Sequence, residues 1–402
     1  MPPLGHICVL LLPLLIIFHL RPVNPVSIPA PRPYYQPSTC NGFAELCHKR
    51  YDEVCFAVTH NAFAVAPLVD ATATIMKSGV NQDPGYILDY QLEDGYRGFK
   101  VAVWRNKTGE VHLCHGKCEN SFIFYDAGPF VNFLTTIRRF LDSNRNEIVT
   151  LFLENVANLD VNTMASQFDA AHLTPYVYVP PDEGPIRWYT MQDMIVANTR
   201  LVVFMDRHCD ITQQPWLLRQ SMYVTQNNYR NYFPEPQFFN CEPYPNPRSD
   251  RRSLTLLNHQ LNILIAEGSN GMDDVYKPDY YDRLTTNSLD SIAAHISTCT
   301  NKNVQVNFVS VDWGASGQTI AAVDAYNGVS RPVKVRSYDA VIHEASRNIS
   351  SIMERAMRSA HRYVEKDSLM IGIDTLLKTL GVVLGMGVWG AFTILMAFGR
   401  WW

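Results

Sequence analysis

Charge is scarce in this 402-residue chain: 18% of residues are Asp, Glu, Lys or Arg, and the two signs nearly cancel at a formal net −4. Basic and acidic residues are mixed throughout, so the basic stripe of a nucleic-acid binder is missing and no nucleic acid is expected as a partner. No internal repeat is present, which excludes a solenoid. No low-complexity linker breaks the stretch between the two chain ends, which leaves one large domain. No glycine-rich loop follows the first strand-like run, which speaks against a phosphate-cradling nucleotide fold.

The N-terminal end lacks a basic lead and a clean small-residue cleavage site, yet Ile7 to Leu20 is apolar apart from His19. That run falls short of the roughly 20 residues that span a bilayer, and the proline-rich stretch from Pro22 to Pro37 cannot continue a helix. Residues 1–28 are therefore expected to be a secretory signal peptide, with an uncleaved anchor as the alternative. At the other end, Thr379 to Gly399 carries no charge and Arg400-Trp401-Trp402 closes the chain. At about 1.5 Å per residue the run matches a hydrocarbon core, so 379–399 is expected to be a transmembrane helix; a glycolipid-anchor signal is the competitor. Gly381 and Gly385 form a small-xxx-small pair that admits a homodimer. Within 337–370, Val341, Ala345, Ile349, Ile352, Ala356, Ala360 and Tyr363 recur at helical spacing, with Arg355, Arg358, Arg362 and Lys366 off that stripe.

Cysteine is present in number. Of nine, Cys8 lies in the expected signal, and the other eight are an even set that suits disulfides in an oxidising compartment. Their connectivity is open among about 105 pairings. Asn106-Lys107-Thr108 and Asn348-Ile349-Ser350 are glycosylation sequons. The expected address is the secretory pathway, with a membrane-anchored lumenal or extracellular domain.

Several short apolar runs end in polar residues: Glu147 to Asn155, Leu201 to Asp206, Val306 to Asp312, Phe56 to His60, Gly98 to Trp104 and Val111 to His115. Helical patterns such as Val131 to Leu141 lie between them. Strand–helix alternation predicts a parallel sheet. Polar residues at many strand ends are what a (β/α) barrel presents to its active site; a doubly wound sheet is the alternative that pattern leaves open. His60 and His115 both stand at such ends. Imidazole titrates near neutral pH, so two facing one substrate can serve as base and acid of a single reaction.

Three further groups stand out. Cys114-His115-Gly116-Lys117-Cys118 offers three soft ligands where structural zinc takes four, so its cysteines are expected to be disulfide partners. Asp206-Arg207-His208-Cys209-Asp210 is expected at the rim of a pocket. Pro234 to Arg252 reads as a surface loop pinned by Cys241, with Arg248, Arg251 and Arg252 as candidate contacts to an anionic headgroup.

Thr59-His60-Asn61, Gln91-Leu92 with Gly95-Tyr96-Arg97-Gly98, Leu113-Cys114-His115, the Glu147-to-Glu154 run, Asn307 to Trp313 and Ala322-Val323-Asp324-Ala325-Tyr326-Asn327-Gly328 occur in a specific order. That order resembles the X domain of phosphatidylinositol-specific phospholipase C, above all its secreted, cysteine-containing, fungal-type members, over Cys40 to Val329. The resemblance implies a distorted TIM-type barrel, placed here at 40–336. It implies that His60 takes the proton of a substrate hydroxyl, that His115 protonates the leaving alcohol, and that Asp312 orients an imidazole. The substrate it implies is a phospholipid or glycolipid headgroup at a membrane.

The sequence departs from that family at the metal site. Calcium-dependent members bind the ion through an Asn after the first His and through acidic residues on the next strand and a later one; Asn61 and Glu154 match, but Lys100 and Ala102 occupy the acidic positions. Two oxygen ligands make a poor calcium site, so no cofactor is expected. Lys100 is expected to supply the positive charge, with Arg97 as a second candidate cation whose place early in the strand suggests a structural role, and Asn61 and Glu154 are expected to line the substrate. Two rivals follow: a degenerate module that binds a headgroup without cleaving it, and a glycerophosphodiesterase, whose usual Glu-x-Asp is contradicted by Lys100-Val101-Ala102.

Overall fold

A computed structural model of the chain describes residues 35–65, 79–121, 124–180, 188–234, 239–244, 254–266 and 275–331. The chain divides into Met1–Gln36 and Pro37–Trp402, and the elements below all belong to the second unit. The expected signal peptide, the 337–370 stripe, the 379–399 span, the second sequon and Arg248, Arg251 and Arg252 lie outside the described residues. Among the described residues no helix is long and apolar enough to cross a membrane.

Twelve strands are described: β1 (Phe56–Thr59), β2 (Gly98–Arg105), β3 (Val111–His115), β4 (Tyr125–Pro129), β5 (Val149–Asn155), β6 (Leu201–Met205), β7 (Leu217–Arg219), β8 (Val224–Gln226), β9 (Leu254–Asn258), β10 (Asn262–Ala266), β11 (Val275–Pro278) and β12 (Phe308–Val311). Eight of them form one parallel ladder in the order β7-β6-β5-β2-β1-β12-β9-β8. Read from β1 through β2, β5, β6 and β7 to β8, β9 and β12, the strands follow chain order, and the last returns beside the first. Edge strands β7 and β8 are joined by a single helical turn, Gln220–Tyr223, so the sheet must curl until its two edges are close. The result is an incomplete TIM-type barrel with its seam between β7 and β8. This ring order settles the choice against a doubly wound sheet.

Alternation along each strand divides the core into two layers. Phe99, Val101 and Val103, Leu151 and Leu153, Val203 and Met205, and Val309 and Val311 join the large apolar cluster beneath the helices. The alternate positions face inward. Phe152 packs on Phe204 at 5.3 Å and on Phe308 at 5.0 Å, and Phe308 on Phe56 at 5.7 Å, which fills the barrel with rings. Tyr51 and Trp188 close its N-terminal end, ring to ring at 4.7 Å. At Gly98 the ring is so tight that a Cβ would stand 2.5 Å from the Val58 side chain. The C-terminal ends of the strands carry His60, Glu154 and Asp312.

The helices outside follow from local chemistry. Phe130–Ser143 buries Phe130, Leu134, Ile137 and Leu141 on one stripe, and the Asn144 side chain caps it by donating to the Phe140 carbonyl at 2.8 Å. Val161–Ala170 starts at Asp160, whose carboxylate accepts from the Asn162 and Thr163 amides. Thr319–Asn327 ends in Asn327, which both donates to and accepts from the Cys55 backbone and so latches the last helix to the start of β1.

Two expectations are corrected. The eight cysteines are not all paired: disulfides join Cys40–Cys47, Cys114–Cys118 and Cys241–Cys299, whereas Cys55 and Cys209 are free thiols. Cys55 is buried at the foot of β1 and Cys209 lies in the turn after β6, so they belong to different parts of the barrel. The strand of the second histidine is also not a barrel stave, because β3 runs antiparallel to β2 and pairs with β4 in an excursion from the ring.

Candidate active site

His60 and Asp312 follow β1 and β12, neighbours in the ring, so parallel register alone brings their Cα atoms side by side. The His60 amide continues the ladder by donating to the Val311 carbonyl at 2.9 Å, and Gln82 Nε2 donates to the His60 carbonyl at 2.7 Å. His60 Nδ1 lies 2.9 Å from Asp312 Oδ1. A carboxylate only accepts, so the proton of a neutral His60 sits on Nδ1 and the Nε2 lone pair is left for the cleft. Asn81 Nδ2 donates to the same Oδ1 at 2.9 Å and lies 3.4 Å from His60 Nδ1. Asp312 Oδ2 is buried with no hydrogen-bond partner among the described residues.

His115 ends β3, opposite Tyr125 of β4. One edge of the residue is partly exposed, but its Nδ1 is buried and has no hydrogen-bond partner among the described residues. Burial, and next the nearby His60, lowers its pKa to about 4 against the opposing pull of Asp312 and Glu154. Those three influences place His115 in the same electrostatic neighbourhood as the His60–Asp312 pair.

Lys100 rises from β2 inside the barrel and is buried. Its Nζ lies 3.2 Å from Asn258 Oδ1 on β9 and 4.0 Å from Glu154 at the end of β5. Burial lowers its pKa, while Glu154 and Asp312 act in the opposite direction. Ala102 stands beside Glu154 in register. Asn61, with a positive φ of 44°, turns the chain after His60 and donates its amide to Asn81 Oδ1 at 3.2 Å. This donor set does not fit calcium, because an ammonium and a methyl group stand where two carboxylates would be needed.

A family model, the PI-PLC X domain, matches residues 46–327. The chain belongs to the PI-PLC X domain family. A PI-PLC X domain-containing protein 1 of Arthroderma benhamiae is 29% identical over 310 residues, covering 74% of this chain and 92% of the relative. An uncharacterized secreted protein of the same organism is 25% identical, covering 71% of this chain and 62% of the relative. Among solved structures, the phosphatidylinositol-specific phospholipase C of Listeria monocytogenes is similar at 15% identity, a TM-score of 0.44, and coverage of 70% of this chain and 95% of that one.

Within this PI-PLC X domain, the ring brings together His60, Asn61, Lys100, Glu154 and Asp312, and the hairpin adds His115. Arg97 is not among them. It precedes β2 at the opposite end of the strands, where Nε donates to Glu147 at 2.6 Å and Nη1 to the Leu92 and Tyr96 carbonyls, so its charge is consumed in the scaffold. Asp206 stays at the rim, accepting from the Asn155 amide and from Arg207. Asp126 braces the hairpin against His112 at 2.9 Å. His112, Cys114 and Asp126 cluster closely enough for a metal ion, but Cys114 is spent in its disulfide.

Sequence reasoning missed Asn81, Asn258 and Ser310. Asn81 precedes a run that shows no strand or helix period, so only its partners identify it. Asn258 and Ser310 do sit at inward strand ends, and the polar-at-strand-end signal used for His60 would have found them. The Ser310 hydroxyl is another buried group without a partner among the described residues.

Proposed function

We propose that this cleft cleaves an inositol-containing phosphodiester by intramolecular phosphoryl transfer, without a metal. The observation that carries this reading is the His60 Nδ1–Asp312 Oδ1 contact of 2.9 Å with His115 in the same electrostatic neighbourhood. His60 Nε2 takes the proton of the ring 2-hydroxyl, whose oxygen forms a bond to the adjacent phosphorus. The phosphorus–oxygen bond to the alcohol breaks, its electron pair passes to the departing oxygen, and protonated His115 supplies the proton. The product is a cyclic phosphodiester. Asp312 holds the imidazole orientation and stabilises its positive charge as it forms. Lys100, buried and fixed beside Asn258, offsets charge on the equatorial oxygens as a preorganised cation. An internal nucleophile removes the need for an enzyme nucleophile and carries a large proximity advantage.

Membership of the PI-PLC X domain family supports the lipid headgroup class. A secreted relative supports passage through the secretory pathway. We place the C-terminal 379–399 run as the anchor on its sequence alone; release from membranes by a glycolipid-anchor-cleaving enzyme would refute the retained span.

The second reading is a headgroup-binding module. One observation favours it: with its pKa lowered to about 4, His115 is neutral at pH 7 in the free protein, and a neutral imidazole is a weak proton donor. Turnover of a panel of inositol phosphodiesters by the lumenal domain, with and without a chelator, decides between the two. Turnover that survives chelation supports the enzyme; binding without turnover under every condition supports the module.

A further inference from the structure

The two histidines are held by different means. His60 is fixed by hydrogen bonds to its ring and its backbone; His115 has no hydrogen bond to its buried Nδ1 among the described residues. A ring with no hydrogen bond to orient it depends on its backbone and packing for a productive geometry, and misplacing a proton donor by about 1 Å can cost about 10²-fold in rate.

Covalent structure stands in for the missing hydrogen bond. Cys114, immediately before His115, is disulfide-bonded to Cys118, so His115, Gly116 and Lys117 form a closed loop of five residues with the two cysteines. Gly116 turns at a φ of 77°, and the Lys117 amide donates back to the His115 carbonyl at 3.0 Å. Below the loop, Cys114 is fully buried and registers with Asp126, which ties the hairpin to His112. The backbone that carries the imidazole is clamped on both sides while the imidazole itself is not.

We propose that the Cys114–Cys118 disulfide is the positioning element of the proton donor, so that leaving-group protonation, and not the attack step, depends on this bridge being closed. The proposal rests on the phosphodiesterase reading above. It means that the site is complete only in an oxidising compartment, and that reduction removes one half of the acid–base pair while leaving His60, Asp312 and Lys100 in place.

The test compares two substrates in the wild type and in Cys114→Ser/Cys118→Ser. One is an inositol phosphodiester with a glycerol-type leaving alcohol, which needs a proton. The other has a nitrophenol leaving group, which departs without one. Opening the bridge should lower kcat by about tenfold or more for the first substrate and by less than about twofold for the second. Removing the remote Cys40–Cys47 bridge should leave the ratio of the two rates unchanged. If the variant does not fold, brief dithiol reduction of the folded wild type replaces it. Cys118 is the nearest to solvent of the bridged cysteines, thiol mapping identifies the opened bridge, and the rate ratio should recover on reoxidation. Equal losses on both substrates, or no change on either, would overturn the positioning role alone. Failure of the wild type to turn over either substrate would overturn the phosphodiesterase reading and this inference with it.

Discussion

His60 and His115 share a cleft but not a foundation. His60 stands on a barrel stave, braced by Asp312 on the next stave and by Asn81 and Gln82 from the segment that follows. His115 stands on an antiparallel hairpin outside the ring, its buried nitrogen unpartnered among the described residues and its pKa lowered to about 4. His60, the proposed base, is held by a hydrogen-bond network, and His115, the proposed acid, sits in a loop closed by a disulfide and a backbone hydrogen bond. A base must be oriented before it acts, and a carboxylate behind the ring also favours the imidazolium that forms. An acid with the same carboxylate behind it would bind its proton more firmly and release it less readily. The absence of a direct partner at His115 therefore suits a donor.

The sharpest way to break this comparison is to remove each ring. His60→Ala should cost about 10²–10⁴-fold on any leaving group, whereas His115→Ala should approach that loss only for an alkyl alcohol, read from kcat on the two substrates. Equal sensitivity of both variants to the leaving group would dissolve the division of labour.

On the proposed reading Lys100 serves both halves, since its buried ammonium would offset charge on the phosphate rather than move either proton. Lys100→Met should lower kcat by about 10²-fold, near 3 kcal/mol of barrier, with both substrates affected alike and with chelator causing no change in the wild type. Strict calcium dependence would show that carboxylates other than Glu154 act in the site.

Next in size is Asn81, which touches only the base side. Asn81→Ala should reduce kcat by about fivefold, the scale of one lost positioning hydrogen bond of about 1 kcal/mol, with KM little changed. A larger effect on the alkyl substrate than on the nitrophenyl one would place Asn81 on the acid side instead.

The smallest signal is the pH profile. Because His115 has a folded pKa below its ordinary 6.5, its protonated fraction falls as pH rises through about 4 in the free protein. The falling limb of kcat/KM for the alkyl substrate should therefore lie on the acid side of 6.5. Bound phosphodiester adds negative charge and favours the imidazolium, so the same limb in kcat should lie at higher pH. Both limbs should vanish for the nitrophenyl substrate; persistence there would assign the limb to another group.

Much of this is legible in the sequence alone. Strand period is local: apolar residues at alternate positions with a polar residue last marked β1, β5, β6 and β12 to within a residue or two, and the stripe of the Phe130–Ser143 helix was equally plain. Placing Lys100 and Ala102 on one face needed only the period of two. The strand-end positions of His60 and His115 suggest the pair, and the resemblance to the PI-PLC X domain then assigns a role to each. Arg97 stands as a second candidate cation whose place early in the strand suggests a structural role, and its guanidinium does meet Glu147 at the far end of the strands.

What the sequence determined by itself is therefore the alphabet of the site: which residues end strands, which face they share, and that acidic metal ligands are missing. What the tertiary structure decided is adjacency. Asn81 meets Asp312 across 231 positions and Lys100 meets Asn258 across 158, contacts that exist only because the sheet curls until its inward strand ends converge. It also took the second histidine off the ring, onto a hairpin closed by the Cys114–Cys118 disulfide. The physical reason is one of range. Alternation and helical period are written in neighbouring residues, whereas ring closure, burial and the pKa values that follow from them depend on side chains contributed from the whole length of the domain.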